Sequence, residues 1–162
     1  MLSLGTSRLS IYLNDHLAGA TVGVELARRT AASNRSTDYG RALTELAAEI
    51  ERDRETLVEI MKRLSLGRDR VKLLVSWGAE KAGRLKLNGQ LRGYSPLSRL
   101  EELEALSLGV EGKMALWQAL RRTHGADPRL GGIDFEELIE RARSQRRRFE
   151  RQRRRAAEEA LT

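Results

Sequence analysis

The sequence contains no cysteine, and only 4% of its 162 residues are aromatic. Without cysteine the chain has no disulfide framework, no cysteine zinc site and no thiol nucleophile. No apolar run approaches the roughly 18–20 residues that a membrane-spanning helix needs. The N-terminus also lacks a basic segment followed by an apolar stretch, so no signal peptide is expected. These absences predict a cytoplasmic protein without a membrane partner.

Charge is abundant but unevenly placed. The chain carries 30 Lys and Arg against 23 Asp and Glu, a formal net charge of +7. Residues 141–155 alone contain nine arginines and one acid, Glu150. Outside this window the basic and acidic residues almost balance. The basic character therefore belongs to one segment of an otherwise near-neutral chain.

Apolar residues recur three and four positions apart throughout, which is the period of an α-helix. The pattern predicts five helices, at about 7–33, 39–64, 69–85, 96–123 and 134–160, the last of them rich in arginine. Gly67 is predicted to terminate the second helix. The length fits a single domain over 1–162, because domains commonly contain about 100–200 residues.

The lengths of the connections between helices predict the topology. The first two helices, and likewise the last two, are joined by short turns and are expected to be antiparallel neighbours. About thirty residues, including the helix at 69–85, separate the second and third long helices, enough to return along the bundle. We therefore expect an all-α, ferritin-like four-helix bundle with an additional crossover helix between the second and third bundle helices.

Several stretches resemble a family of small bacterial helical-bundle proteins of unassigned function. They are residues 12–19 (YLNDHLAG), 83–89 (GRLKLNG), 95–98 (SPLS), 103–106 (LEAL) and 109–113 (GVEGK). The family is loosely ferritin-like, and the resemblance covers most of the chain. Its functional residues are not defined, so the resemblance implies a fold and no site.

The motifs of the common catalytic classes are missing. A ferritin-type di-iron centre takes a Glu-x-x-His from each of two helices, and this motif does not occur. Neither a phosphate-binding glycine loop nor a Gly-x-Ser-x-Gly nucleophile turn is present. Iron storage, oxygenase, nucleotide-dependent and serine hydrolase activities therefore have no support.

Three polar residues fall on or beside the apolar faces of their helices. If the first two helices turn near residue 35, His16 and Asp53 face each other, and Glu111 of the parallel helix reaches the same level. One interpretation is a buried polar layer in which these groups satisfy one another. The alternative is a site for a single divalent metal, because one imidazole and two carboxylates suit iron, manganese or zinc.

Four glycines interrupt two of the predicted helices, where each costs about 1 kcal/mol relative to alanine. They are Gly19 and Gly23 in the first helix and Gly109 and Gly112 in the fourth. The pattern favours tight packing, either a close approach of helix backbones or room for a large neighbour such as Trp117, and a ligand cavity is the alternative.

The arginine-rich last helix has three interpretations, of which one is an interface between subunits. Its side chains can pair with the acidic residues of neighbouring helices, which is the usual role of a charge run on a helix. Alternatively, they bind nucleic acid or an acidic partner. The candidate contacts are Arg146, Arg147, Arg148, Arg151, Arg153, Arg154 and Arg155.

The functional hypothesis is a non-enzymatic ferritin-like helical-bundle protein without a cofactor. The alternatives are a metal-binding bundle using His16, Asp53 and Glu111, and a nucleic-acid or acidic-partner binding protein acting through the last helix. A second apolar strip on the first helix also suggests self-association into a homo-oligomer.

Overall fold

A computed structural model describes residues 7–68 and 93–162 of the chain. Within these residues the structure is helical and contains no strand. The four long helices are α1 (Arg8–Ser33), α2 (Gly40–Arg63), α3 (Pro96–His124) and α4 (Phe135–Leu161). A short 3₁₀ helix, Pro128–Leu130, lies between α3 and α4. The all-α prediction is confirmed for this part of the chain, whereas the predicted crossover helix at 69–85 lies outside the described residues.

Three of the four helices begin where a short polar side chain caps them. The hydroxyl of Ser7 accepts from Ser10 N, and that of Ser95 accepts from Ser98 N, with Pro96 in the first turn. Asp134 caps α4 in the same way by accepting a hydrogen bond from the backbone of its third helical residue. Each cap satisfies an amide that has no partner inside its helix.

The end of α2 differs from the prediction. The helix ends at Arg63, and Ser65, not Gly67, adopts the left-handed conformation with φ 56°. Ser65 N donates to Lys62 O, and Leu66 N donates to Met61 O at 2.9 Å. This double hydrogen bond is the Schellman motif, which normally has glycine at the position of Ser65.

Contacts between the helices define their directions. Arg29 pairs with Glu102 and Arg99 bonds to Asn34, so the end of α1 lies beside the start of α3. Pairs between α2 and α4 likewise run in opposite order, from Asp38 with Arg155 to Arg63 with the Gly131 carbonyl. Arg54 of α2 bonds to Thr21 of α1 and Glu51 pairs with Arg28, so α1 and α2 are also antiparallel. Both α2 and α3 therefore run opposite to α1 and in the same direction as each other.

The interior of the bundle is aliphatic with a few large aromatic side chains. Its most deeply buried large residues are Leu13, Leu17, Tyr39, Leu43, Leu46, Leu57, Ile60, Met61, Leu103, Leu116, Trp117 and Phe149. Burying one such side chain stabilises the fold by about 1.5–3 kcal/mol, so this core supplies most of the driving force. None of the helices described here is long and apolar enough to cross a membrane.

The left-handed conformation of Ser65 generates a stability prediction. A residue with a Cβ pays about 1–2 kcal/mol there, and glycine does not. We expect Ser65→Gly to raise the free energy of unfolding by about 1 kcal/mol in urea denaturation. Ser36→Gly, at an exposed turn residue without positive φ, is the control and should give no increase. An unchanged or lowered stability of Ser65→Gly would contradict the prediction.

Candidate functional site

The most buried charge in the described structure is Asp53, at the middle of α2, with only 1% of its surface exposed. Its carboxylate accepts hydrogen bonds from side chains of two other helices. Lys113 Nζ of α3 lies 2.5 Å from one oxygen, and Arg141 Nε of α4 lies 2.8 Å from the other. Gln145 Nε2 donates to the same oxygen as Lys113, at 3.0 Å. Both carboxylate oxygens are therefore engaged within the protein.

The contacts around Asp53 extend into a wider network. Gln145 is fully buried; its Oε1 accepts from Lys113 Nζ at 2.6 Å, and its Nε2 also donates to Glu49. Glu49 pairs in turn with Arg148 at 2.6 Å. We call these six residues, which join α2, α3 and α4, the charge cluster; its members are Glu49, Asp53, Lys113, Arg141, Gln145 and Arg148.

Burial and the neighbouring carboxylate act in opposite directions on the lysine of the charge cluster. Burial lowers the pKa of Lys113, while the charge of Asp53 and its hydrogen bond raise it. Desolvation penalises an ammonium and a nearby carboxylate stabilises it. The charged form of Lys113 therefore depends on Asp53.

Structure and sequence differ on the predicted polar layer. Asp53 is buried, but Glu111 lies on the outer side of α3 with half of its side chain exposed, paired with Arg146 at 3.0 Å. Lys113 follows Glu111 by two residues, about 200° further around the helix, and takes the inward position. His16 contacts the Tyr12 ring edge-on, with 4.6 Å between centroids. The structure thus does not join His16, Asp53 and Glu111 in one layer.

The register of α1 against α2 explains why His16 and Asp53 do not meet. The turn between these helices is centred later than residue 35, because α1 continues to Ser33 and α2 begins at Gly40. Arg54 Nε donates to Thr21 Oγ1, so the Asp53 level of α2 lies beside residues well past His16. A shift of a few residues in an antiparallel pair moves the expected partners apart by about 1.5 Å per residue.

His16 and the acidic residues do not form a recognisable metal centre. No group of three or more His, Asp or Glu side chains in the described ranges could hold a metal ion. Burial lowers the pKa of His16 below its usual value, and neighbouring Asp15 opposes this effect. The imidazole is therefore neutral near pH 7.

Most arginines of α4 contact carboxylates of the same chain. Several reach other helices: Arg146 reaches Glu111, Arg148 reaches Glu49 and Glu45, Arg153 reaches Glu104, and Arg155 reaches Asp38. Others pair within α4: Arg147 with Glu140, and Arg153 and Arg154 with Glu150. These two hydrogen-bonded arginines lower the pKa of Glu150 to about 2. Arg151 is exposed and forms no ion pair with another described residue.

A cavity of about 780 Å³ lies between α1, α2 and α3, and we call it the groove. Its surface is mainly apolar, and it contains all four glycines of α1 and α3 that the sequence singled out: Gly19, Gly23, Gly109 and Gly112. A Cβ added to any of the four would meet nothing within 4 Å. The expected close backbone approach is therefore wrong, and the glycines border open space.

The glycines occur at matching levels of the two facing helices. With Arg29 opposite Glu102 in an antiparallel pair, Gly19 lies near the level of Gly112, and Gly23 near that of Gly109. Because both helices lack a side chain at these levels, the space between their backbones is left open and the groove is wider there. Alanines of both helices continue this lining.

Two polar groups of the groove have unused donors. Arg54 Nε donates a hydrogen bond to Thr21 Oγ1 at 2.9 Å. The two terminal nitrogens of Arg54 form no hydrogen bond or ion pair with a described residue. Trp117 lines the groove and is 1% exposed, and its indole Nε1 has no hydrogen-bond partner in the described structure. A buried donor without a partner is unusual in a folded protein.

Sequence reasoning missed several of these residues although a signal existed for some. Leu106, Val110, Lys113 and Trp117 follow the helical spacing of one face, which places Lys113 inward. No comparable signal identifies Arg54, because its role depends on the register of α1 against α2.

Comparisons with known proteins identify no relative of this chain. The chain matches no protein-family model, and neither the curated proteins nor the solved structures contain a match.

The charge cluster generates a prediction about Asp53. Asp53→Asn keeps the shape of the side chain but leaves Lys113 and Arg141 without a compensating charge. Removing one partner from a buried ion pair costs about 3–5 kcal/mol, and we expect a loss near the lower value in urea denaturation. Glu111→Gln, the matched change at an exposed ion pair, should cost less than about 1 kcal/mol. Equal losses in the two variants would contradict a structural role of the charge cluster.

The loss in free energy of unfolding caused by Asp53→Asn should also depend on pH, because Lys113 changes its protonation state. Without Asp53, the pKa of Lys113 in the folded variant falls further below the value of about 10.4 for an unfolded lysine. The unfolded variant then binds more protons than the folded one, so its stability rises as the pH increases towards that value. The difference from wild type should be smaller near pH 9.5 than at pH 7. A difference that does not change with pH would show that Lys113 is not involved.

Proposed function

We propose that this chain is a non-enzymatic, ferritin-like helical bundle that acts by binding, with the groove as its ligand site. The observation that carries the proposal is the open, mainly apolar groove, which is bordered by four glycines. The two members of the charge cluster that line it, Asp53 and Lys113, are engaged with each other and with Arg141 and Gln145. Small-molecule sites are typically apolar cavities of this size with few polar groups.

The ferritin-like assignment is supported by the directions of the helices. All helices that are neighbours in the described part are antiparallel, and α2 and α3 are parallel, as a long crossover between them requires. The resemblance to small bacterial helical-bundle proteins agrees with this topology and supports a bacterial origin. A cytoplasmic location stays a prediction.

A catalytic role for Asp53 has little geometric support. A general base needs an oxygen that can reach the proton of a substrate. Both oxygens of Asp53 accept hydrogen bonds from Lys113, Arg141 or Gln145 at 3.0 Å or less. The carboxylate is therefore better suited to fixing three helices than to proton transfer.

The metal-binding alternative has a specific difficulty in the same place. A cation at Asp53 would compete with Lys113 and Arg141, both within hydrogen-bond distance of the carboxylate. The polyanion alternative is similarly weakened, because most arginines between 141 and 155 already contact carboxylates of the chain. Its remaining support is Arg151, which is exposed and forms no ion pair with a described residue, and the exposure of Arg147 and Arg154, whose side chains are 60% and 74% exposed.

Metal analysis tests the first alternative. Protein purified without chelator should contain far less than one metal ion per chain by elemental analysis, because the cations around Asp53 repel a further cation. Stoichiometric metal that is lost in His16→Ala would contradict this expectation and establish the metal-binding function instead.

Binding of a neutral apolar dye tests the groove as a ligand site. N-phenyl-1-naphthylamine, which fluoresces strongly in apolar surroundings, should bind the full chain saturably with one site. Gly109→Leu places a large side chain in the open space of the groove and should weaken this binding at least tenfold. Ala115→Leu adds a large side chain to an exposed position of α3 outside the groove and should have little effect.

The helix content of both variants is compared with wild type by circular dichroism. Equal weakening by the two leucines, or no saturable dye binding by the wild-type chain, would contradict the proposed function.

A further inference from the structure

In the part of the chain that the structure describes, the groove combines a long apolar surface with Arg54, a cation that has free donors. Its residues extend along α1 from Tyr12 to Leu26 and along α3 from Ala105 to Trp117. At 1.5 Å per residue these stretches are about 20 Å long. An extended, narrow ligand therefore suits the groove better than a compact one.

Arg54 is positioned to bind an anionic group at the side of this surface. Its Nε donates to Thr21, which fixes the plane of the guanidinium and leaves both terminal nitrogens for a ligand. A guanidinium binds a carboxylate through two parallel hydrogen bonds, a geometry that gives both affinity and orientation. Arg54 is partly buried, so such an interaction is less screened than one at the surface.

The other charged groups of the groove do not compete with Arg54 for an anion. Asp53 and Lys113 both line the groove, but they pair with each other, and Arg141 and Gln145 take part in their remaining hydrogen bonds. Asp15 lies six residues before Thr21 on α1, about 9 Å away along the helix. Its charge therefore lies nearer the other end of the groove than Arg54 does. Among the lining residues that the structure describes, Arg54 is therefore the positive charge available to a ligand.

The indole of Trp117 is a second donor in the wall of the groove that no described residue accepts. It is buried, and leaving its Nε1 unsatisfied costs about 1–3 kcal/mol. With Arg29 opposite Glu102, Thr21 and Arg54 lie near residue 110 of α3, about 10 Å along the groove from Trp117. A carboxylate held by Arg54 therefore does not contact this indole, which serves as a fluorescent reporter in the wall of the groove.

We propose that the groove binds an amphipathic monocarboxylate, an extended hydrocarbon chain with a single carboxylate, held by the Arg54 guanidinium. The inference rests on the groove being the ligand site and adds the chemical class of the ligand. The chain lies between the glycine-bordered walls of α1 and α3, and the carboxylate forms an ion pair with Arg54. One guanidinium neutralises one carboxylate, whereas a doubly charged phosphate would retain an unpaired charge.

The test compares dodecanoate with dodecanol, two ligands with the same chain and different head groups. Trp77→Phe leaves Trp117 as the only tryptophan of the full chain, and its fluorescence reports occupancy of the groove. Dodecanoate should bind with one saturable site and displace the neutral dye. Arg54→Met should weaken dodecanoate at least tenfold and dodecanol less than threefold, because only the carboxylate forms a charge-assisted hydrogen bond.

Arg52→Met is the matched control, since Arg52 is an exposed arginine of the same helix that does not line the groove. It should leave the affinity for both ligands within twofold. Equal weakening of dodecanoate by the two arginine variants, or equal affinity for dodecanoate and dodecanol in wild type, would overturn the carboxylate proposal while the groove still bound the dye. Failure of all three probes would refute the groove as a ligand site altogether.

A second copy of the chain is the main competing occupant. Analytical ultracentrifugation across a hundredfold range of concentration should show one species whose mass does not change with Gly109→Leu. A dimer of the wild type that this substitution dissociates would overturn the proposal in favour of self-association through the groove.

Discussion

The ion pairs of one buried carboxylate organise the centre of this bundle. Asp53 extends from α2 to Lys113 on α3 and to Arg141 and Gln145 on α4, so a single side chain fixes the relative position of three helices. Apolar packing alone tolerates small shifts of one helix along another, because aliphatic contacts have little directional preference. Hydrogen bonds to a buried charge do not tolerate such shifts. The register of α2 against the hairpin of α3 and α4 depends on this interaction.

The arginine-rich helix α4 is absent from the described lining of the groove, which comes from α1, α2 and α3. Most arginines of α4 are directed to carboxylates of α2, of α3 or of their own helix, so the segment that gives the chain its positive charge is largely compensated internally. Guanidinium groups suit this role because each has several donors in a fixed plane. Between α1 and α3 lies the groove, whose walls carry glycine and alanine and which Asp53 and Lys113 of the charge cluster also border. The described walls have little side-chain volume there, and Arg54 is held in place by Thr21.

Several elements of the fold follow from local patterns. Apolar periodicity gave four helices with bounds close to those observed, and Ser95 followed by Pro96 marked the start of α3, because these signals act within a few residues. The end of α2 was less predictable: Ser65 adopts the left-handed conformation that the pattern assigned to Gly67. The site was predicted only in part. The apolar spacing predicts that Asp53 is buried, but it favours Glu111 where Lys113 occupies the inward position, and it favours close packing at four glycines that border open space.

These differences have a common physical origin. The sequence by itself determined which residues form helices, which face of each is apolar, and that the positive charge is confined to the last helix, because all three depend on neighbours along the chain. The tertiary structure decided which polar groups meet and how far apart the walls of α1 and α3 stand. Both depend on the register and spacing of helices, and a change of a few residues in register moves a side chain to the level of a different partner. The balance of many weak contacts sets that register, so no short stretch of the sequence specifies the charge cluster or the groove.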